Sequence, residues 1–244
     1  MTTQTILITG GTAGIGFAMA KLFSEQGHKV IITGRNPERL NNATSQLKNV
    51  TGIQCDVTCE KDVDNLVAMI NSQFQDLSML INNAGSAFYY KLYPGAQAFD
   101  KASREIMTNY LSIVSLTEKL LPLLNMQPRA AIVNVSSIVA FAPGTRLATY
   151  SASKAALHSY TQSLRYTLSS TNIRVYELMP PLVNTEFSKE IGGENGISPA
   201  AVADALHEAL ESNTYEIHVG NTAQIYALSR QSQEEALKAM NQAR

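Results

Sequence analysis

Apolar runs and helical stripes alternate from one end of the chain to the other. Ile6-Leu7-Ile8 and Val30-Ile31-Ile32 are short unbroken apolar runs, as a strand covered on both faces requires. Between them Ile15, Ala18, Met19, Leu22 and Phe23 recur at helical spacing. Asn36-Pro37 reads as an N-cap followed by proline at the first helical position. A strand near Gly52–Cys55 follows, then a helical stripe at Val63, Leu66, Val67, Ile70 and Phe74, then a strand at Met79-Leu80-Ile81. The second half predicts a long helix over 103–126, a strand at Ala131–Val135 and a helix marked by Leu157, Tyr160, Leu164 and Leu168. A strand at Ile173–Leu178, a helix over 199–212, a last strand at Glu216–Val219 and a closing helix over 222–242 complete the pattern.

Strands separated by helices argue βαβ units, and right-handed crossovers then dictate an α/β fold with a doubly wound parallel sheet. No Pro/Gly/Ser linker divides residues 1–244, so one domain is expected. The least regular stretch, 186–199, carries three glycines and reads as a mobile flap.

Composition narrows the function. Hydrophobic residues make up 45% and charged residues 16%, below the ~25% usual for soluble domains, so much of the chain is available for a core. A net charge of −1 and the lack of a Lys/Arg block argue against nucleic acid. Two cysteines and four scattered histidines make neither a disulfide framework nor a metal site. No apolar run reaches the ~18 residues of a membrane span, and Met1–Thr5 lacks a signal peptide's positive region, so a cytoplasmic protein is expected.

Thr9–Gly16 lies between the first strand and the first helix. Gly10 allows a sharp turn, Gly14 a close approach to a pyrophosphate and Gly16 close packing of helix on sheet. The spacing also fits a plain glycine-rich βα turn; its place directly after strand one favours a dinucleotide. The second strand ends Thr33-Gly34-Arg35, with no Asp or Glu from 29 to 37. A carboxylate there would bind the ribose 2′-OH of NAD, whereas a guanidinium pairs a 2′-phosphate, so NADP (NADPH) is expected and NAD is disfavoured.

Tyr150 and Lys154 sit one helical turn apart. A lysine cation favours the phenolate and brings a tyrosine with pKa ~10 toward useful acid/base chemistry. Tyr-x-x-x-Lys alone also fits an ordinary surface pair. Ser136-Ser137 closes the fifth strand and Asn82–Gly85 ends the fourth, at the sheet edge where open α/β folds bind ligands.

With Thr9–Gly16, Asp56-Val57, Asn82–Gly85, Asn109, Ser137, Tyr150-x-x-x-Lys154 and Pro180–Thr185 in this order, the chain resembles the short-chain dehydrogenase/reductase family over essentially its whole length. The resemblance implies a seven-stranded Rossmann sheet and an oxidoreductase that interconverts an alcohol and a carbonyl. Tyr150 would be the acid or base, Ser137 would bond the substrate oxygen and Lys154 would hold the nicotinamide ribose. Asn109 would anchor a water linking Lys154 to solvent. Cofactor contacts would come from Gly10, Thr12, Gly14, Ile15, Gly16, Arg35, Asp56, Val57, Asn83, Ala84, Gly85, Tyr150, Lys154, Pro180, Val183 and Thr185. Asp56 and Val57 would lie near the adenine, Asn83 beside the adenosine ribose, and Val183 and Thr185 at the carboxamide. The partner would be a small-molecule carbonyl or alcohol, and the assembly a homodimer or homotetramer built on the helix at 103–126.

Two positions depart from the family pattern. Pro181 stands where glycine is usual, and Ala13 where many NADP-preferring members carry a base. A nucleotide sensor on the same fold would lack the tyrosine or lysine, and a sugar-nucleotide epimerase would need a substrate domain. The substrate end is expected to involve Phe88-Tyr89-Tyr90, Ala140-Phe141, Arg146 and the flap.

Overall fold

A computed structural model describes residues 3–242. Seven strands, β1 Thr5–Ile8, β2 Lys29–Gly34, β3 Val50–Gln54, β4 Leu77–Asn82, β5 Ala130–Val135, β6 Ile173–Met179 and β7 Glu216–His218, form one sheet in the order 3-2-1-4-5-6-7. Every pairing is parallel. The order reverses between β1 and β4, which opens a crevice beyond the strand ends there.

The helices are α1 Gly14–Glu25, α2 Pro37–Ser45, α3 Glu60–Gln73, α4 Ala98–Ile106, α5 Ser112–Asn125, α6 Ala148–Thr167, α7 Pro199–Ser212, α8 Thr222–Gln231 and α9 Gln233–Asn241. Strand alternation builds two cores. Ile6, Ile8, Val30, Ile32, Val133 and Leu178 meet Met19 and Phe23 of α1 and Leu206 of α7. Leu7, Ile31, Leu80, Ile132 and Val175 point the other way, into Leu66 of α3 and Leu116 and Leu120 of α5.

Three expectations are revised. The long helix starts earlier, at Ala98, and contains a π-helical turn, Met107–Leu111, between α4 and α5. The wider turn brings Asn109 fully into the interior, and such turns often mark functional sites. The closing helix is broken at Ser232 (φ −153°, ψ 112°), whose hydroxyl accepts from Glu235 N at 3.2 Å and caps α9. The segment 186–199 is not without packing: it forms two 3₁₀ turns, Glu186–Ile191 and Gly193–Asn195. Ser188 Oγ donates to Val183 O at 2.5 Å, and Val183 bridges to Ile197.

The hairpin of α8 and α9 returns the chain to the sheet edge. Asn241 Nδ2 donates to Pro143 O at 2.9 Å while its Oδ1 accepts from Thr145 N at 2.6 Å, clasping the loop before α6. Among the described residues no helix is long and apolar enough to cross a membrane.

Candidate active site

A cleft of about 1650 Å³ runs along the carboxyl ends of the strands. That exceeds the ~300–1,000 Å³ of a drug-sized site and has room for a dinucleotide and a second molecule. All thirteen proposed cofactor contacts other than Gly16 and the Tyr150–Lys154 pair line it, from Gly10 to Thr185, and so do Ser137, Tyr150 and Lys154. Asn109 lies behind the wall, fully buried.

The glycine loop shapes one end. Gly10 and Gly14 have φ of +65° and +56°, in the left-handed region that favours glycine. A Cβ on Gly16 would lie 2.4 Å from the Gly10 carbonyl oxygen and 2.5 Å from Asn83 Nδ2. The start of α1 has no side-chain cap, so its N–H groups remain available for phosphate. Backbone conformation, the narrow approach and the free donors all suit a pyrophosphate. Gly16→Ala is expected to abolish the thermal shift given by NADP and to lower stability by ~1–3 kcal/mol, the usual cost of overpacking. A melting curve with and without nucleotide checks both; a wild-type shift would show that the loop yields.

Asn83 lines the cleft and also braces the glycine loop. Its Nδ2 donates to Thr9 O at 3.0 Å and Gly10 O at 3.1 Å, tying the end of β4 to the glycine loop. Near the glycine loop Arg35 and Arg39 both line the cleft. Burial tends to raise the Asp56 carboxyl, but hydrogen bonds from Thr58 and the charge of Arg35 hold it below its usual value. The Arg35 charge therefore reaches Asp56 within the cleft. Arg39 was not singled out by the sequence. It donates to Glu186 of the flap at 3.2 and 3.3 Å.

At the other end Ser137 leaves β5 in extended conformation, its Oγ accepts from Val139 N at 3.3 Å, and it lines the cleft with Tyr150. Lys154 Nζ donates to Val135 O at 2.8 Å and lies 5.7 Å from the Tyr150 ring centre. Burial pushes the Tyr150 phenol well above its ordinary value; Ser137 opposes this and the charge of Glu105 adds to it. Lys154, its ammonium directed to the Val135 carbonyl, is not among the groups that shift the phenol. Burial pushes Lys154 itself down to about 8.

The Asn109 side chain is occupied: Oδ1 accepts from Ser86 N at 2.8 Å, and Nδ2 donates to Ser86 O at 2.8 Å and Ser153 Oγ at 2.9 Å. It fixes the loop after β4 against α6. Glu105, also buried, accepts from Phe88 N at 2.8 Å through Oε1 and leaves Oε2 without a partner. The Pro181 ring packs beside Gly220.

The substrate end differs in part from expectation. Tyr89 and Arg146 line the cleft, and Arg146 Nη1 donates to Tyr89 OH at 3.0 Å. Phe141 instead turns away and packs edge-on against His158, His218 and Tyr226. Phe187 of the flap lies 6.2 Å from the Tyr150 ring, a contact that no periodicity announced. Ala239 and Met240 of α9 complete the wall.

The family model described as short chain dehydrogenase matches residues 4–196. The Bacillus subtilis uncharacterized oxidoreductase DltE is 38% identical over 198 residues, 81% of this chain and 79% of the relative. A short chain dehydrogenase from Burkholderia cenocepacia, solved with NADP, superposes with a TM-score of 0.86 at 26% identity, over 99% of this chain and 98% of that one. A 3-ketoacyl-(acyl-carrier-protein) reductase from Brucella melitensis, solved with NADH, superposes with a TM-score of 0.76 at 27% identity, over 84% and 90%.

Proposed function

This chain belongs to the short chain dehydrogenases, an oxidoreductase family, and from that premise we propose that it interconverts a small alcohol and a carbonyl by hydride transfer with NADP, using Tyr150 as acid and base. The observation that carries this reading is the convergence of Ser137, Tyr150 and Lys154 on one cleft, with Lys154 buried and its ammonium 5.7 Å from the Tyr150 ring centre. The nicotinamide supplies or accepts hydride when bound.

The chain's own residues handle the proton. With the Tyr150 pKa raised, its Oη holds a proton at neutral pH, so the site is loaded for carbonyl reduction. Ser137 Oγ donates to the substrate oxygen and stabilises the charge that develops there. Lys154 would hold the ribose of a bound nucleotide, and its charge favours the phenolate left after transfer. Of the residues that line the cleft, Gly10, Thr12, Gly14 and Ile15 would hold the pyrophosphate, Asp56 and Val57 would border the adenine, and Pro180, Val183 and Thr185 would border the nicotinamide. A panel of carbonyl compounds and alcohols, followed by NADPH absorbance, tests the reading. No turnover with any of them would count against it.

Assembly follows from the surface. Met107 and Leu111 are exposed at the π turn, and Tyr110 meets Tyr160 of α6 edge-on at 6.0 Å on the same side of the molecule. An apolar helix pair of this kind fits a two-fold mate. Light scattering at micromolar concentration is expected to give at least twice the 26.5 kDa of one chain. A monomer alone would refute it.

A further inference from the structure

β6 should be wholly apolar on both faces, yet Glu177 lies at its centre with no exposure. By strand parity it shares the face of Ile173 and Val175, the side that α6 covers. Its carboxylate is fully engaged: Oε1 accepts from Ser136 Oγ at 2.5 Å, and Oε2 meets His158 Nδ1 at 2.9 Å. Buried charges persist where partners satisfy them, and this one has two.

The arrangement closes on the site. Ser136 follows Val135, whose carbonyl holds Lys154, and His158 sits one turn beyond Lys154 on α6. The carboxylate is therefore lodged between the two residues that frame the lysine. Its charge acts on Lys154 against the effect of burial. We propose that Glu177, fixed by Ser136 and His158, is a positioning residue that supplies the buried counter-charge keeping Lys154 cationic beneath Tyr150. This deepens the hydride-transfer reading, in which that cation acts on Tyr150.

Other groups face the carboxylate. Lys154, His158 and Arg165 come from α6, and Glu216 and His218 from β7. Arg165 and Glu216 pair with each other at 3.0 Å, so they nearly cancel. Burial pushes His218 down, toward its neutral form. The hydrogen bond to Glu177 pushes His158 up. Below its pKa a charged His158 offsets Glu177; above it the carboxylate acts on Lys154 alone.

The test follows Lys154 directly, without substrate or nucleotide. Protein labelled with ¹³Cε-lysine is titrated by NMR, and the Lys154 signal is identified by its loss in Lys154→Arg. Glu177→Gln keeps the shape and removes the charge, so the Lys154 midpoint is expected to fall by about one unit, the scale of one nearby opposite charge. His158→Gln keeps a donor to the carboxylate and is expected not to lower the midpoint. If Glu177→Gln does not fold, the double variant Glu177→Met/His158→Leu removes the pair without stranding either partner, and it must lower the midpoint too. An unmoved midpoint without the Glu177 charge overturns the proposal. So does an equal fall in His158→Gln, which would make packing the cause. A negative substrate screen leaves this result intact, and a negative titration leaves the hydride-transfer reading intact.

Discussion

Tyr150→Phe is expected to keep nucleotide binding and to lose at least ~10²-fold in turnover, the usual contribution of a positioned acid or base. The substitution removes one oxygen and leaves the ring, so the contact with Phe187 survives. Lys154 keeps its bond to Val135 O and remains placed for the ribose. Only the phenolic oxygen and its proton disappear. Nucleotide titration beside steady-state turnover on an identified substrate separates the two effects. A variant that turned over at the wild-type rate would remove Tyr150 from the mechanism.

The second large effect concerns nucleotide choice. NADP is expected to bind ~10–150-fold more tightly than NAD, because a bidentate guanidinium–phosphate pair is worth ~1.5–3 kcal/mol. Among the described residues Arg35 makes no salt bridge, whereas Arg39 is engaged by Glu186. Arg35→Ala should therefore remove most of the preference and leave NAD affinity unchanged. Gly34→Asp should reverse it, with one steric condition. The new Cβ would lie 2.6 Å from Thr12 Cγ2, so the Thr12 side chain must rotate. Calorimetric titration of both nucleotides decides the matter: equal affinities in the wild-type protein would show that Arg35 contributes nothing to the choice.

The alternation of strands and helices was readable because each strand is buried on both faces and each helix shows one apolar stripe. Boundaries failed where local chemistry overrides the stripe. The π turn at Met107–Leu111 keeps helical spacing on either side, so the stripe runs through it unmarked. Ser232 reads as an ordinary polar position until its hydroxyl is seen capping α9.

The site was legible as residues at strand ends, since topology alone brings those ends to one edge. Partners were not legible. Nothing in the identity of Asn83 or Asn109 says that its amide is spent on backbone groups of a neighbouring loop. Glu177 and His158 stand 19 positions apart and meet only because α6 lies on β6. Arg39 and Glu186 are 147 apart. The signal that was available for Glu177 was a lone acid in an apolar strand, a break of pattern that demands a partner.

The clasp made by Asn241 divides labour along the chain. The residues proposed to hold nucleotide and move protons all precede position 196, where the match to the family ends. The wall around Tyr150 also draws on Ala239 and Met240, fastened from beyond that limit to the loop at 143–145. Substitutions in the last forty-odd residues would therefore reshape that wall while leaving Ser137, Tyr150 and Lys154 in place.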